Sequence, residues 1–169
     1  MGEVCQKQQP WLFGVWRTCN AFMCLFFTLA SYVQINDPDA GLWMAGYGIP
    51  AALCGFIVWR AEVTETLAWR RVADLHVTIS CAVISMLGWK VFTQKLSEIF
   101  QQEEGRECCG LMLTSAWLLL CRHSGRAPVG ALRVSTAVAV TVFPFVAWLY
   151  YYINKDLRSA WPSHCTTAL

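Results

Sequence analysis

Three short polar segments of this 169-residue chain carry the side chains whose types and spacing suit chemistry. The first is Asn36-Asp37-Pro38-Asp39, where two carboxylates and an amide lie side by side. Such a group can ligate a hard cation or exchange protons as an acid/base pair. It also has a plain local reading, because Asp-Pro initiates a turn and Asp39 suits the N-cap of a following helix. The second segment is Glu103-Glu104-Gly105-Arg106-Glu107. Glu103 and Glu107 stand one helical turn apart, where like charges repel unless a cation or an arginine intervenes. Acidic groups there also suit the positive end of a helix dipole. The third segment runs from Asn154 and Lys155 through Arg158 to His164. Its cations suit a helix C-terminus, and a single histidine in a tail reads first as a solvated group. Asp37, Asp39, Glu103 and Glu107 are weak candidates for metal ligation. No motif requires a cofactor, and no Cys-x-x-Cys or His-x-x-x-His spacing suggests zinc.

Apolar sequence has to position these segments. Hydrophobic residues make up 56% of the chain and charged residues 14%, against about 25% charged in soluble domains. A soluble globule of this composition would expose too much apolar surface, so the lipid bilayer is the expected partner. A formal net charge of +2 with no long basic run excludes a nucleic-acid-binding surface.

A bilayer core of about 30 Å needs roughly 20 apolar helical residues. Residues 18–36, 40–59 and 134–154 contain no charge and read as spans. The stretch between Asp74 and Lys90 is slightly short, and Arg71 and Lys90 can extend it by snorkelling. Residues 108–121 give only about 21 Å of helix, and they span if Glu107 and Arg122 sit at the two interfaces. The predicted fold is a single all-α integral membrane bundle of five transmembrane helices, over about 16–35, 40–59, 73–92, 106–122 and 134–154. The alternative is four spans plus a re-entrant segment.

With five spans, eight basic residues (Lys7, Arg17, Arg60, Arg70, Arg71, Arg122, Arg126, Arg133) lie on the side of the N-terminus. Five (Lys90, Lys95, Arg106, Lys155, Arg158) lie on the other. This bias predicts a cytosolic N-terminus and a non-cytosolic C-terminus. The three polar segments then share the non-cytosolic face, whereas four spans would move the tail to the opposite side. Within the second span Gly41 with Ala45, and Gly48 with Ala52, are small residues four apart. They form a surface on which helices approach closely, inside the bundle or from another membrane protein.

These motifs also carry a resemblance that runs from about Trp16 to the end of the chain. Gln34-x-Asn36-Asp37-Pro38-Asp39 with Trp43, Glu103-Glu104-Gly105-Arg106-Glu107, Pro128-Val129-Gly130, Phe143-Pro144-Phe145, and Tyr152-Ile153-Asn154-Lys155 leading to Arg158, Trp161, Pro162, His164 and Cys165 resemble the transmembrane protein 220 family. The resemblance implies a multi-pass membrane protein and carries over no catalytic residues. The expected function is therefore that of a structural or interaction component of a membrane. The alternative is a membrane-embedded enzyme, metal-assisted and hydrolase-like, with its polar site at the non-cytosolic face. A small-solute carrier ranks third, because no ionisable residue is expected deep in a span.

Overall fold

The computed structural model describes residues 10–93, 103–122, 124–125, 130–154 and 156, and among these there is no strand. Five helices carry the fold: α1 (Pro10–Val33), α2 (Ala40–Trp59), α3 (Leu67–Thr93), α4 (Glu103–Cys121) and α5 (Ala131–Ile153). Short 3-10 turns, Gln34–Asn36 and Ala61–Glu65, join α1 to α2 and α2 to α3. α1, α2, α3 and α5 are each long and apolar enough to cross a membrane.

α1 and α2 form an antiparallel hairpin. At one end the Arg17 guanidinium donates to the Val58 carbonyl, satisfying an orphan acceptor in the last turn of α2. Towards the other end the Ser31 hydroxyl donates to the Met44 carbonyl at 3.0 Å. Arg17 therefore lies level with the end of α2. The part of α1 paired with α2 runs from there to Val33, about 24 Å of helix.

α3 and α4 form a second antiparallel pair, closed by an ion pair at each end. Lys90 meets Glu104 at 2.6 Å, and Arg122 meets Asp74 at 2.9 Å. Asp74 to Lys90 is about 24 Å of α3, and Glu104 to Arg122 about 27 Å along α4. Both helices thus cover the same thickness between two charged levels. α4 has a weaker hydropathy signal because much of its surface never meets lipid. Leu111, Thr114, Trp117, Leu118 and Cys121 are all buried in the bundle. Hydroxyls and thiols are tolerated there, and Thr114 donates to the Gly110 carbonyl one turn back at 2.8 Å.

The core follows one face of α1. Leu12, Trp16, Cys19, Asn20, Met23 and Phe27 recur at helical spacing and are all buried. The Trp16 indole stacks on that of Trp117, with centroids 6.0 Å apart and planes 13° apart. Asn20 is the polar member of the row. Its amide donates to the Trp16 carbonyl at 3.0 Å, and its oxygen accepts from the Cys121 thiol at 3.4 Å. In a bilayer that pairing avoids the cost of an unsatisfied amide. The opposite faces carry large apolar residues such as Leu29, Ile79, Met86 and Val146, all exposed as lipid-facing positions should be. α2 packs against α1, α3 and α4, while α5 packs against α1 and α4.

Candidate functional site

The hairpin between α1 and α2 is built from two overlapping turns. The Asp37 N–H donates to the Gln34 carbonyl, and the Asp37 carbonyl accepts from the Ala40 N–H, both at 3.1 Å. Asp37 is extended (φ −77°, ψ 151°), as a residue preceding proline must be. Asp39 occupies the N-cap position of α2, yet its carboxylate makes no capping bond. It reaches one turn further and accepts from the Trp43 indole N–H at 2.9 Å. The two hairpin carboxylates therefore part: Asp39 fixes Trp43, and Asp37 faces the interior of the polar end. Asn36 is exposed.

Trp43 and Tyr47 lie on one face of α2, a turn apart, with rings stacked at 6.3 Å and 28°. This stack aims the Tyr47 phenol across the bundle at α4. A Cβ at Gly110 would overlap the phenol oxygen and lie 3.1 Å from its Cζ. Glycine at this position is what lets the ring reach the α4 backbone. One turn earlier on α4 stand Arg106 and Glu107, both half-buried.

These elements border a half-open cavity of about 190 Å³, lined by Ala30, Val33, Gln34, Asp37, Tyr47, Arg106 and Glu107. The cavity joins one carboxylate from the hairpin to a guanidinium and a carboxylate from α4. Tyr47 forms its floor and the last turns of α1 its apolar wall. Asp37, Arg106 and Glu107 each hold further polar or electrostatic interactions. Tyr47 has an electrostatic neighbour in the same cavity, Glu107. The residue is only 8% exposed, and among the described residues no hydrogen bond reaches its hydroxyl.

The other residues singled out in the sequence are placed elsewhere or lie outside the described residues. α4 begins at Glu103, whose side chain is outside the description, as are Lys155, Arg158 and His164. Asn154 is exposed at the end of α5, where its side-chain amide donates to the Tyr150 carbonyl at 2.8 Å. α5 contributes nothing to the cavity lining. Glu104, next to the predicted pair, belongs to the α3–α4 clamp. The Lys90 ammonium bonded to it holds its carboxyl below the usual carboxylate range. Of the four weak metal candidates, Asp37 and Glu107 share the cavity and Asp39 is turned to Trp43. Among the described residues no group of three His, Cys, Asp or Glu side chains could hold a metal ion.

Tyr47, Gln34 and Gly110 are cavity-forming residues that inspection of the polar segments did not single out. The available signal was the Asp39, Trp43, Tyr47 row, three residues at i, i+4 and i+8 running from a carboxylate into the second span. Among the described residues the lining offers hydrogen bonds and both signs of charge, without serine, cysteine, histidine or lysine. It is equipped to recognise a polar ligand through two carboxylates, a guanidinium, an amide and a phenol.

The small-residue surface of α2 divides. A Cβ at Gly48 would lie 3.5 Å from the Ser31 hydroxyl of α1, whereas one at Gly41 meets nothing within 4 Å. Gly41, Ala45 and Ala52 are exposed.

Comparison with known proteins places these features in a family. The family described as "Transmembrane family 220, helix" matches residues 26–123, from the second half of α1 to the end of α4. Transmembrane protein 220 of Xenopus laevis is 43% identical over 155 residues, covering 92% of this chain and 84% of that protein. No solved structure matches the chain. With the hairpin, the start of α4 and most of the bundle inside the matched region, the chain belongs to the transmembrane protein 220 family of multi-pass integral membrane proteins.

Proposed function

We propose that this protein is a non-catalytic interaction component of its membrane, a five-span bundle whose working site is the cavity over Tyr47. The observation that carries this reading is the Tyr47 phenol, held by a residue only 8% exposed and lining a polar cavity, with no hydrogen bond to its hydroxyl among the described residues. A phenol hydroxyl at the wall of such a cavity can both donate to and accept from a molecule that enters it. A site that keeps it is best explained by a bound molecule that completes its hydrogen bonding. The lining supports binding, since it supplies both signs of charge and hydrogen-bonding groups within one small cavity.

The paired charged levels of α3 and α4 support the crossing of α4 as a fifth span. The excess of Lys and Arg on the side of the N-terminus supports a cytosolic N-terminus, which puts the cavity and the C-terminus on the non-cytosolic face. The exposed Gly41, Ala45 and Ala52 surface of α2 is suited to close approach by a helix of another membrane protein.

Native mass spectrometry of the full-length protein after gentle extraction tests the binding claim. Wild type is expected to retain a non-covalent adduct that Tyr47→Phe loses, with the variant equal or higher in stability because only an unpartnered hydroxyl is removed. Identical adducts on both proteins would overturn the reading. For topology, an N-terminal tag is expected to be cytosolic and a C-terminal tag protected in selectively permeabilised cells. Both tags on one side would remove the fifth span.

A further inference from the structure

The geometry points to a ligand class for this cavity: an amine–phosphate zwitterion of the phosphoethanolamine type. This inference rests on the binding role given above to the cavity over Tyr47.

Charge comes first. Among the described residues the lining presents one guanidinium, Arg106, and two carboxylates, Asp37 and Glu107. A ligand of a single sign would attract one of these groups and repel the other. A molecule carrying both signs matches both. Arg106 suits phosphate, because its planar donor fork fits two phosphate oxygens. Asp37 and Glu107 suit a cation. All three already hold other interactions, so the ligand joins an existing network. The Tyr47 hydroxyl is the group that gains a first hydrogen bond, by donating to a phosphate oxygen.

The kind of cation follows from the aromatic surfaces. Quaternary ammonium ligands are held against aromatic faces. Here the Trp43 indole is committed to Asp39 and stacked on Tyr47, and it does not line the cavity. The Tyr47 ring lies against the Gly110 backbone. The cationic end of the ligand meets carboxylate oxygens instead, and these favour a primary ammonium with three N–H donors over a trimethylated one.

Size and place agree with this chemistry. A volume near 190 Å³ holds about six waters. It is smaller than the roughly 300 Å³ at which drug-sized pockets begin. The cavity lies where α1 and α2 turn at the hairpin, and its apolar wall is Ala30 and Val33 of α1. Tyr32 and Leu29, on the same last turns of α1, are exposed as lipid-facing residues. A lipid headgroup can enter there while its chains stay in the bilayer. A free phosphoethanolamine carries the same two charges and can enter from the aqueous side.

The test uses purified full-length protein in nanodiscs of phosphatidylcholine alone, of phosphatidylcholine with phosphatidylethanolamine, and of phosphatidylcholine with added soluble phosphoethanolamine. Retained ligand is counted by native mass spectrometry and the thermal midpoint is recorded. Phosphatidylethanolamine is expected to be retained about tenfold over phosphatidylcholine, with Asp37→Asn and Glu107→Gln each lowering that selectivity by about tenfold. Because Arg106 faces the phosphate both lipids share, Arg106→Gln should lower the retention of both by about tenfold. Asp74→Asn, in the clamp at the opposite end of the bundle, should leave selectivity and retention unchanged. Saturable binding of phosphoethanolamine in phosphatidylcholine discs, lost in the same three variants, supports the same chemistry with a soluble source. Equal retention of both lipids with no binding of phosphoethanolamine overturns the ligand class. If Tyr47→Phe still removes whatever is bound, the cavity remains the site and only the class is wrong. If Tyr47→Phe changes nothing, the site itself is wrong.

Discussion

Replacing Gly110 with alanine tests the contact on which the cavity is built. The added Cβ would overlap the Tyr47 phenol oxygen and lie 3.1 and 3.3 Å from Cζ and Cε1. The ring cannot swing aside freely, because it is buried and stacked on Trp43, which is itself held by Asp39. Overpacking of this kind costs about 1–3 kcal/mol. The upper half of that range applies where the obstacle is a fixed aromatic ring. Against it stands a gain of about 1 kcal/mol from replacing glycine by alanine within a helix. The net expectation is a loss of about 1–2 kcal/mol. Tyr47→Phe removes the oxygen that overlaps most and leaves ring carbons at tight distances from which a small shift gives relief. In that background the cost of Gly110→Ala should shrink by about 1 kcal/mol, a coupling typical of residues in contact. The assay is reversible unfolding of the four proteins of this cycle in one detergent, scored by tryptophan fluorescence. If Gly110→Ala stabilises the protein equally with Tyr47 or Phe at position 47, then Tyr47 does not rest on α4 and the cavity floor is misassigned.

Two other expectations separate structural carboxylates from those of the site. Asp39→Ala should lower stability by about 1–3 kcal/mol, because it leaves the buried Trp43 indole N–H without its acceptor. Ligand retention should persist, and the stability effect should vanish in a Trp43→Phe background; a loss of retention at full stability would return Asp39 to the site. The Lys90–Glu104 clamp should act through pH. Since the folded Glu104 carboxyl is held below its usual value, its contribution is present above the unfolded pKa of about 4.3. That contribution is lost as pH falls through the lowered folded value. Lys90 is half exposed, so the contribution is at most about 1 kcal/mol. Thermal midpoints of wild type and Glu104→Gln should differ at neutral pH and converge in acid. A gap that persists in acid would place its origin elsewhere.

The membrane class and three of its helices can be read from charge-free stretches, because lipid penalises charge regardless of tertiary detail. α3 was harder, since its charges lie close to both ends, and α4 harder still. A hydropathy window counts Thr114 and Ser115 against membrane residence, although both face the bundle and not lipid. Only the ion pairs at both ends of the α3–α4 hairpin reveal that the two helices cover the same thickness. At the site, Asp37, Arg106 and Glu107 were visible as polar residues at span ends on one face. Tyr47 was not, because a lone tyrosine eight residues into an apolar span has no polar neighbour in sequence to mark it. Its role depends on Gly110, 63 positions away in sequence, and no local pattern encodes that proximity. Asp39 had an adequate local explanation as a cap, and the indole one turn later outcompeted the backbone for its carboxylate.

On the function proposed above, the hairpin and the start of α4 form one site. A double-mutant cycle between Asp37→Asn and Arg106→Gln, read as the thermal stability of full-length protein in nanodiscs of fixed lipid composition, tests it most directly. Shared lining of one cavity predicts a coupling of about 0.5 kcal/mol or more between these positions. Strict additivity of the two substitutions would show that they act on separate surfaces and would contradict the account.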